Sequence, residues 1–352
     1  MTLSFNRRQT LAAGAAAALL PGGLSAAAIG TAPLTRIAFG SCAKQMKPQP
    51  IWKRVVDWNP ELFVFLGDNV YADTFDMGEM QEAYDMLAAK SGFKNLRAHC
   101  PTIAIWDDHD YGADDAGHEY PFKKSSKEIF LKFWQEPADS PRWARQGNYT
   151  SYVFGPEGRR VQIILPDLRW FRSDLINGGV WPPGRGPYLP NTDPEATMLG
   201  AAQWRWLEEE LRKPAEIRIL ATSTQLLADF PGFEAWANFP LERQRLFDLI
   251  RDTRANGVVA ISGDTHYAEL SRLADASVPY PLYELTSSGL TEVWDYLATN
   301  KNRVGKGFLQ ENFGTITIDW TGDPVITLGV RSMGGRSLME QRIALSELQV
   351  RG

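Results

Sequence analysis

The sequence predicts an α/β sandwich, on three observations. Short apolar, β-branched runs alternate with amphipathic segments along most of the chain, the pattern of strands exchanging with helices. Neither an internal repeat nor a coiled-coil heptad interrupts that alternation. Of the 352 residues, 44% are hydrophobic and 22% charged, which supplies a sizeable core and argues against disorder, while two cysteines exclude a disulfide-stapled scaffold.

From the amino terminus, residues 1–28 read as an export signal. Arg7-Arg8 precede a weakly hydrophobic, alanine-rich run from Leu11 to Leu20, and Ala26-Ala27-Ala28 supplies the small residues of a cleavage site. That run is too short to span a bilayer, so no stable membrane anchor is expected after cleavage; an amphipathic or disordered arm is the alternative. The paired arginines point to the twin-arginine translocase as export partner and to a periplasmic or secreted protein. This route carries folded proteins, which suits a cofactor inserted before export. Residues 29–352 are expected to form one domain. Losing the two arginines takes the formal charge from −5 to −7, with 35 basic side chains against 42 acidic ones. Without a basic tail, a nucleic-acid-binding module is not expected.

Within that domain Arg36–Gly40, Leu62–Leu66, Thr102–Trp106, Val161–Leu165, Ile217–Thr222 and Val258–Ser262 read as strands, being short apolar runs rich in β-branched residues. Leu282–Thr286, Gly314–Ile318 and Val325–Val330 read as antiparallel closing strands. Helices are expected at Met77–Ala89, Ser126–Gln135, Ala201–Leu211 and Leu241–Thr253, the third placing Trp204, Leu207 and Leu211 on one face. The stretch Ser173–Pro194, with five prolines and little periodicity, reads as a long surface loop at the rim of the site.

Four of the strands end in potential ligands: Gly40-Ser41-Cys42, Gly67-Asp68-Asn69-Val70-Tyr71, Asp107-Asp108-His109-Asp110 and Gly263-Asp264-Thr265-His266. A single Gly-Asp pair is usually a turn. Four together matter, because the carboxyl ends of strands in open α/β sheets converge on the ligand crevice. Asp107, Asp108, Asp110, Asp114 and Asp115 also crowd five carboxylates into nine residues. Exposed in water, such a run needs no partner; buried at a strand end, it needs a cation to stay ionised.

Only His99, His109, His118 and His266 exist, so a histidine-rich zinc pair is not expected. Oxygen ligands from Asp and Tyr, with one thiolate and one imidazole, suit a hard trivalent ion such as Fe(III) beside an oxygen-preferring ion such as calcium or manganese, with zinc as an alternative in one position. Cys42 has two plainer readings, as a buried cysteine or as the disulfide partner of Cys100.

Together with Phe39-Gly40-Ser41-Cys42, Phe65-Leu66-Gly67-Asp68-Asn69-Val70-Tyr71, Trp106 through Gly112, Asp167-Leu168-Arg169-Trp170-Phe171-Arg172, Gly263-Asp264-Thr265-His266 and Leu285-Thr286-Ser287-Ser288-Gly289, the chain resembles the alkaline phosphatase D, or PhoD-like, family of the metallophosphoesterase superfamily. The resemblance implies a four-layer α-β-β-α sandwich over residues 29–352, a short form without the amino-terminal β-sandwich module of longer members, and an exported phosphoesterase. It implies Fe(III) held by Cys42, Asp68, Tyr71 and His266, and calcium held by Asp68, Asp264 and carboxylates near Asp108 and Asp114. His109 would face the scissile phosphate. Family members usually carry Asn where this chain has Asp114.

The expected reaction is hydrolysis of phosphate esters by a metal-bound hydroxide in an in-line displacement, with alkaline phosphatase or phosphodiesterase activity. His109 would stabilise or protonate the leaving alkoxide and Arg169 would neutralise equatorial oxygens, the alternative for Arg169 being a structural pair with Asp167. Tyr71 has a plain core reading. Phospholipase D-like or phosphotriesterase activity on the same site is the alternative chemistry. Two rivals differ in class: a secreted calcium-stabilised binding module gripping its ligand with Trp170, Trp181 and Trp236, and a carboxylate-pair glycosidase indifferent to chelation.

Overall fold

Two mixed sheets lie face to face in the computed structural model, which describes residues 32–179, 186–229 and 232–350. Arg7-Arg8, the remainder of the expected signal and Trp181 fall outside the described residues. The first sheet runs in the order Ser337–Ala344, Val325–Ser332, Asn312–Asp319, Arg36–Gly40, Leu62–Leu66 and Thr102–Ile105. The second runs Arg303–Phe308, Ala268–Leu273, Leu282–Ser287, Val258–Ser262, Ile217–Ala221, Val161–Leu165 and Thr150–Phe154.

The parallel strands at the centres of the sheets are buried on both faces, so they read as unbroken apolar runs: Leu62–Leu66 is Leu-Phe-Val-Phe-Leu with every residue buried. Helices cover both outer faces and make the four layers. On the first sheet Trp52, in the helix Ile51–Trp58, sets its ring 5.7 Å from Phe63 and from Phe65. On the second, Gln162 of the strand Val161–Leu165 donates 3.0 Å to the Glu210 carbonyl of the helix Gly200–Arg212. Trp204 of that helix donates 2.7 Å to Glu242 in the helix Pro240–Asp252.

Some expectations need correction. Leu282–Ser287 is antiparallel to Ala268–Leu273 but runs parallel to Val258–Ser262, so it extends the parallel set instead of closing it. Cys42 and Cys100 are both free thiols, which removes the disulfide reading. Trp170 and Trp236 are buried in the core, 5% and 0% exposed, and offer no surface to grip a ligand. Within Ser173–Pro194 the chain pairs briefly, Ile176–Asn177 against Tyr188–Leu189.

Candidate functional site

The carboxyl ends of seven parallel strands, three from the first sheet and four from the second, meet at one edge of the sandwich. Each hands the next residues to a common cluster: Cys42, Asp68, Asp107, Asp167, Ser223, Asp264 and Ser288. The sheets touch there, since a Cβ on Gly263 would lie 2.7 Å from Ser41 Cβ. The turns are tight enough that Cys42, Asp68, Asp73, Asp115, Asp264 and His266 all adopt left-handed backbone, with φ between 47° and 69°. Such conformations cost non-glycine residues and gather where surrounding contacts enforce them.

On one side, Cys42 Sγ lies 3.3 Å from Asp68 Oδ2 and 3.1 Å from Ser288 Oγ. Tyr71 Oη lies 3.3 Å from the same Asp68 oxygen and 3.0 Å from His266 Nε2. These four side chains therefore share one pocket, with the Tyr71 hydroxyl turned into it. Burial pushes the Cys42 thiol up to about 12, raises the Tyr71 phenol and Asp68 carboxyl well above their usual ranges, and pushes the His266 imidazole down to about 4.

The other side is mainly carboxylate. Asp108 and Asp264 come together with Asp107, and Asp68, Asp108 and His109 form a neighbouring group, their ligand atoms within 4.8 Å of one another. Asp68 thus belongs to both sides. Asp115 backbone N–H donates 2.9 Å to Asp108 Oδ2, and Asp114 stands at the mouth with its side chain 79% exposed. Asp110 plays a different part: it accepts from Asp107 N at 2.7 Å, Asp68 N at 3.2 Å, Asn69 Nδ2 at 2.6 Å and Tyr84 Oη at 3.1 Å, pinning two strand-end loops together.

Arg169 lies beneath these acids, 1% exposed. Its Nε is 2.5 Å from Asp107 Oδ1, Nη1 2.5 Å from Glu234 and Nη2 3.4 Å from Asp108. Its guanidinium does not pair with Asp167, whose Oδ1 instead accepts from the Arg169 and Trp170 backbone N–H groups. His109 Nδ1 donates 2.6 Å to Asp73 Oδ1, leaving Nε2 toward the site. Burial would discharge that imidazole, but Asp108, Asp68 and Asp73 outweigh it and push it up to about 11.

The donors fit metal ions. Asp68 Oδ1 and Asp107 Oδ2 are buried with no hydrogen-bond partner, which is costly for carboxylate oxygens unless a cation takes them. Burial lifts Asp264 well above the carboxylate range, Asp107 to about 7 and Asp115 to about 9, so only added positive charge keeps the group ionised. One pocket offers thiol, phenol, imidazole and carboxylate, the other mainly carboxylate oxygens with the His109 imidazole beside them.

Sequence reasoning missed Glu234, Asp73 and the structural part of Asp115, which accepts from the Tyr188 hydroxyl and so ties the proline-rich segment to the site. Only the arginine pair Arg169 and Arg172, both held by Glu234, hinted that a further acid was needed.

A family model described as PhoD-like phosphatase matches residues 74–312. Cys42, Asp68 and Tyr71 precede that range, so geometry alone joins them to it. The chain is 21% identical over 279 residues to alkaline phosphatase D of Bacillus subtilis (strain 168), covering 68% of this chain and 47% of the relative; it spans about half that protein's length. Among solved structures it is similar to that of PhoD, with TM-score 0.70 at 17% identity, covering 89% of this chain and 69% of the other. It is also similar to purple acid phosphatase PPD1 from yellow lupin (Lupinus luteus), with TM-score 0.62 at 14% identity, covering 89% and 54%. At these identities the likeness is one of fold.

Proposed function

Because the chain belongs to the PhoD-like phosphatase family, we propose that it is a metal-dependent phosphoesterase acting at the strand-end cluster. The observation that carries this reading is the pair of unpartnered buried oxygens, Asp68 Oδ1 and Asp107 Oδ2, inside a crowd of carboxylates. Cys42, Asp68, Tyr71 and His266 would hold Fe(III), and Asp68, Asp108 and Asp264 would hold calcium, with Asp114 at the open side. Bound there, such ions supply Lewis acidity toward a phosphoryl oxygen and acidify water.

The chain's own groups do the rest. His109, oriented through Nδ1 by Asp73, turns Nε2 toward the site, where its protonated form can donate to a leaving alkoxide. Arg169, fully buried and engaged at every nitrogen position, acts by positioning Asp107 and Asp108 more than by touching substrate. Export along the twin-arginine route, with residence outside the cytoplasm, belongs to the same proposal; fractionation of cells expressing an Arg7→Lys, Arg8→Lys double variant tests it.

Chelator-treated protein is expected to lose hydrolysis of phosphate monoesters and diesters and to regain it on adding back iron and calcium. Chelation without effect, or cleavage of glycosides instead, overturns the reading. Metal analysis decides the ions: Cys42→Ser is expected to lower iron content sharply, since serine is a poor thiolate substitute. Iron-loaded protein should be coloured by thiolate and phenolate charge transfer, with the band shifted in Tyr71→Phe. Iron content unchanged in Cys42→Ser would remove that assignment.

For His109→Ala the metals should stay while turnover falls about a hundredfold on alkyl esters with poor leaving groups, and far less on activated aryl esters. Equal losses across leaving groups would place His109 in charge stabilisation and not proton donation.

A further inference from the structure

One wall of the site has a chemistry that phosphoryl transfer does not use. The Trp294 ring meets the His266 ring nearly edge-on, with centroids 5.3 Å apart at 66°. Tyr296 stacks on Trp294 at 5.0 Å and 16°, and Phe233 lies 4.8 Å from Trp294 and 6.2 Å from Tyr296. The three rings come from two separate loops and all are half-buried, unlike the fully enclosed Trp52, Trp106 and Trp236 of the core.

Their place is fixed by backbone bonds to the cluster. Trp294 N–H donates 3.0 Å to the His266 carbonyl, while Thr291 and Glu292 N–H groups donate to the Cys42 carbonyl at 3.0 and 3.3 Å. A hydrophobic core would have enclosed these rings, and an ordinary solvent face would not gather three of them beside His266 at the edge of the cluster.

We propose that Phe233, Trp294 and Tyr296 form a shelf that stacks a planar ring carried by the organic part of the ester, so that the site prefers phosphate esters of ring-bearing alcohols such as nucleosides. The proposal rests on the phosphoesterase reading above and names its substrate class. Aromatic side chains bind any flat π-face without reading its hydrogen-bond edge, so the shelf discriminates by ring area: purine over pyrimidine, and either over a bare sugar.

The test is an equilibrium titration of the purified, metal-assayed full chain with a nonhydrolysable adenosine 5′-phosphonate and the matching ribose 5-phosphonate. The adenosine compound is expected to bind about ten- to a hundredfold more tightly, the range of one base stacked on aromatic side chains. Tyr296→Ala and Phe233→Ala should each cut that preference severalfold, while Tyr296→Phe, which keeps the ring, should retain it. Equal affinity for the two compounds, or a preference untouched by Tyr296→Ala, overturns the shelf. Tighter binding of a choline phosphonate than of either overturns it in favour of a quaternary-ammonium subsite. Failure of the underlying reading looks different: no phosphate ester is turned over, whatever the binding preference.

Discussion

Asp68→Ala is expected to lower phosphoesterase activity at least about a thousandfold, equivalent to roughly 4 kcal/mol of transition-state stabilisation. The reason is position. Asp68 Oδ2 is within 3.3 Å of both Cys42 Sγ and Tyr71 Oη, and the same side chain belongs to the group containing Asp108 and His109. Among the described residues, Asp68 is the acid shared by the group of Cys42 and His266 and the group of Asp108 and His109. Stability should move the other way: burial already drives the Asp68 carboxyl toward its protonated form, so metal-free Asp68→Asn should be at least as stable as the metal-free parent. Steady-state kinetics and urea unfolding of both forms measure the two effects. Substantial activity in Asp68→Ala would remove this residue from the centre of the site.

Arg169→Met should destabilise the fold by about 3–5 kcal/mol, the cost of leaving buried charges without their partner. Asp107, Asp108 and Glu234 all face the guanidinium, and Asp107 is 0% exposed. The loss should grow with pH. Burial raises the Asp107 carboxyl to about 7 even though Arg169 opposes it, and without the arginine it rises further. A carboxyl with a raised folded pKa binds its proton more tightly folded than unfolded, so stability falls as pH climbs between the two values. Urea midpoints at pH 5 and pH 8 check the sign. Equal destabilisation at both would mean that packing, not charge, is what Arg169 supplies.

Legibility from sequence followed the physics of each element. Strands buried on both faces, such as Leu62–Leu66 and Val258–Ser262, announce themselves because no position needs a polar residue. Ala268–Leu273 was hidden because Glu269 lies inside it, fully buried and bonded by Gln225 and Asn300. Edge strands Thr150–Phe154, Arg303–Phe308 and Ser337–Ala344 mix polar and apolar residues without a clean alternation. Short helices Ile51–Trp58 and Ser91–His99 offered too few turns for a periodicity.

The candidate cluster was legible where potential ligands follow strands directly, as at Cys42, Asp68, Asp108, Asp264 and His266. Glu234 and Trp294 come from loops reached by long-range packing, and no local pattern marks such residues.

The pairing of Arg36–Gly40 has a consequence for how the protein is made. One neighbour, Leu62–Leu66, follows soon after, but the other, Asn312–Asp319, lies some 280 residues downstream. At ribosomal speeds of about 5–20 residues per second, the first strand waits roughly 14–56 s for that partner. Cys42, just past its end, waits nearly as long for His266 and Ser288. A stalled or truncated nascent chain therefore presents an apolar, half-paired strand and loose carboxylates, a client for chaperones and proteases, and metal capture becomes one of the last events of biosynthesis.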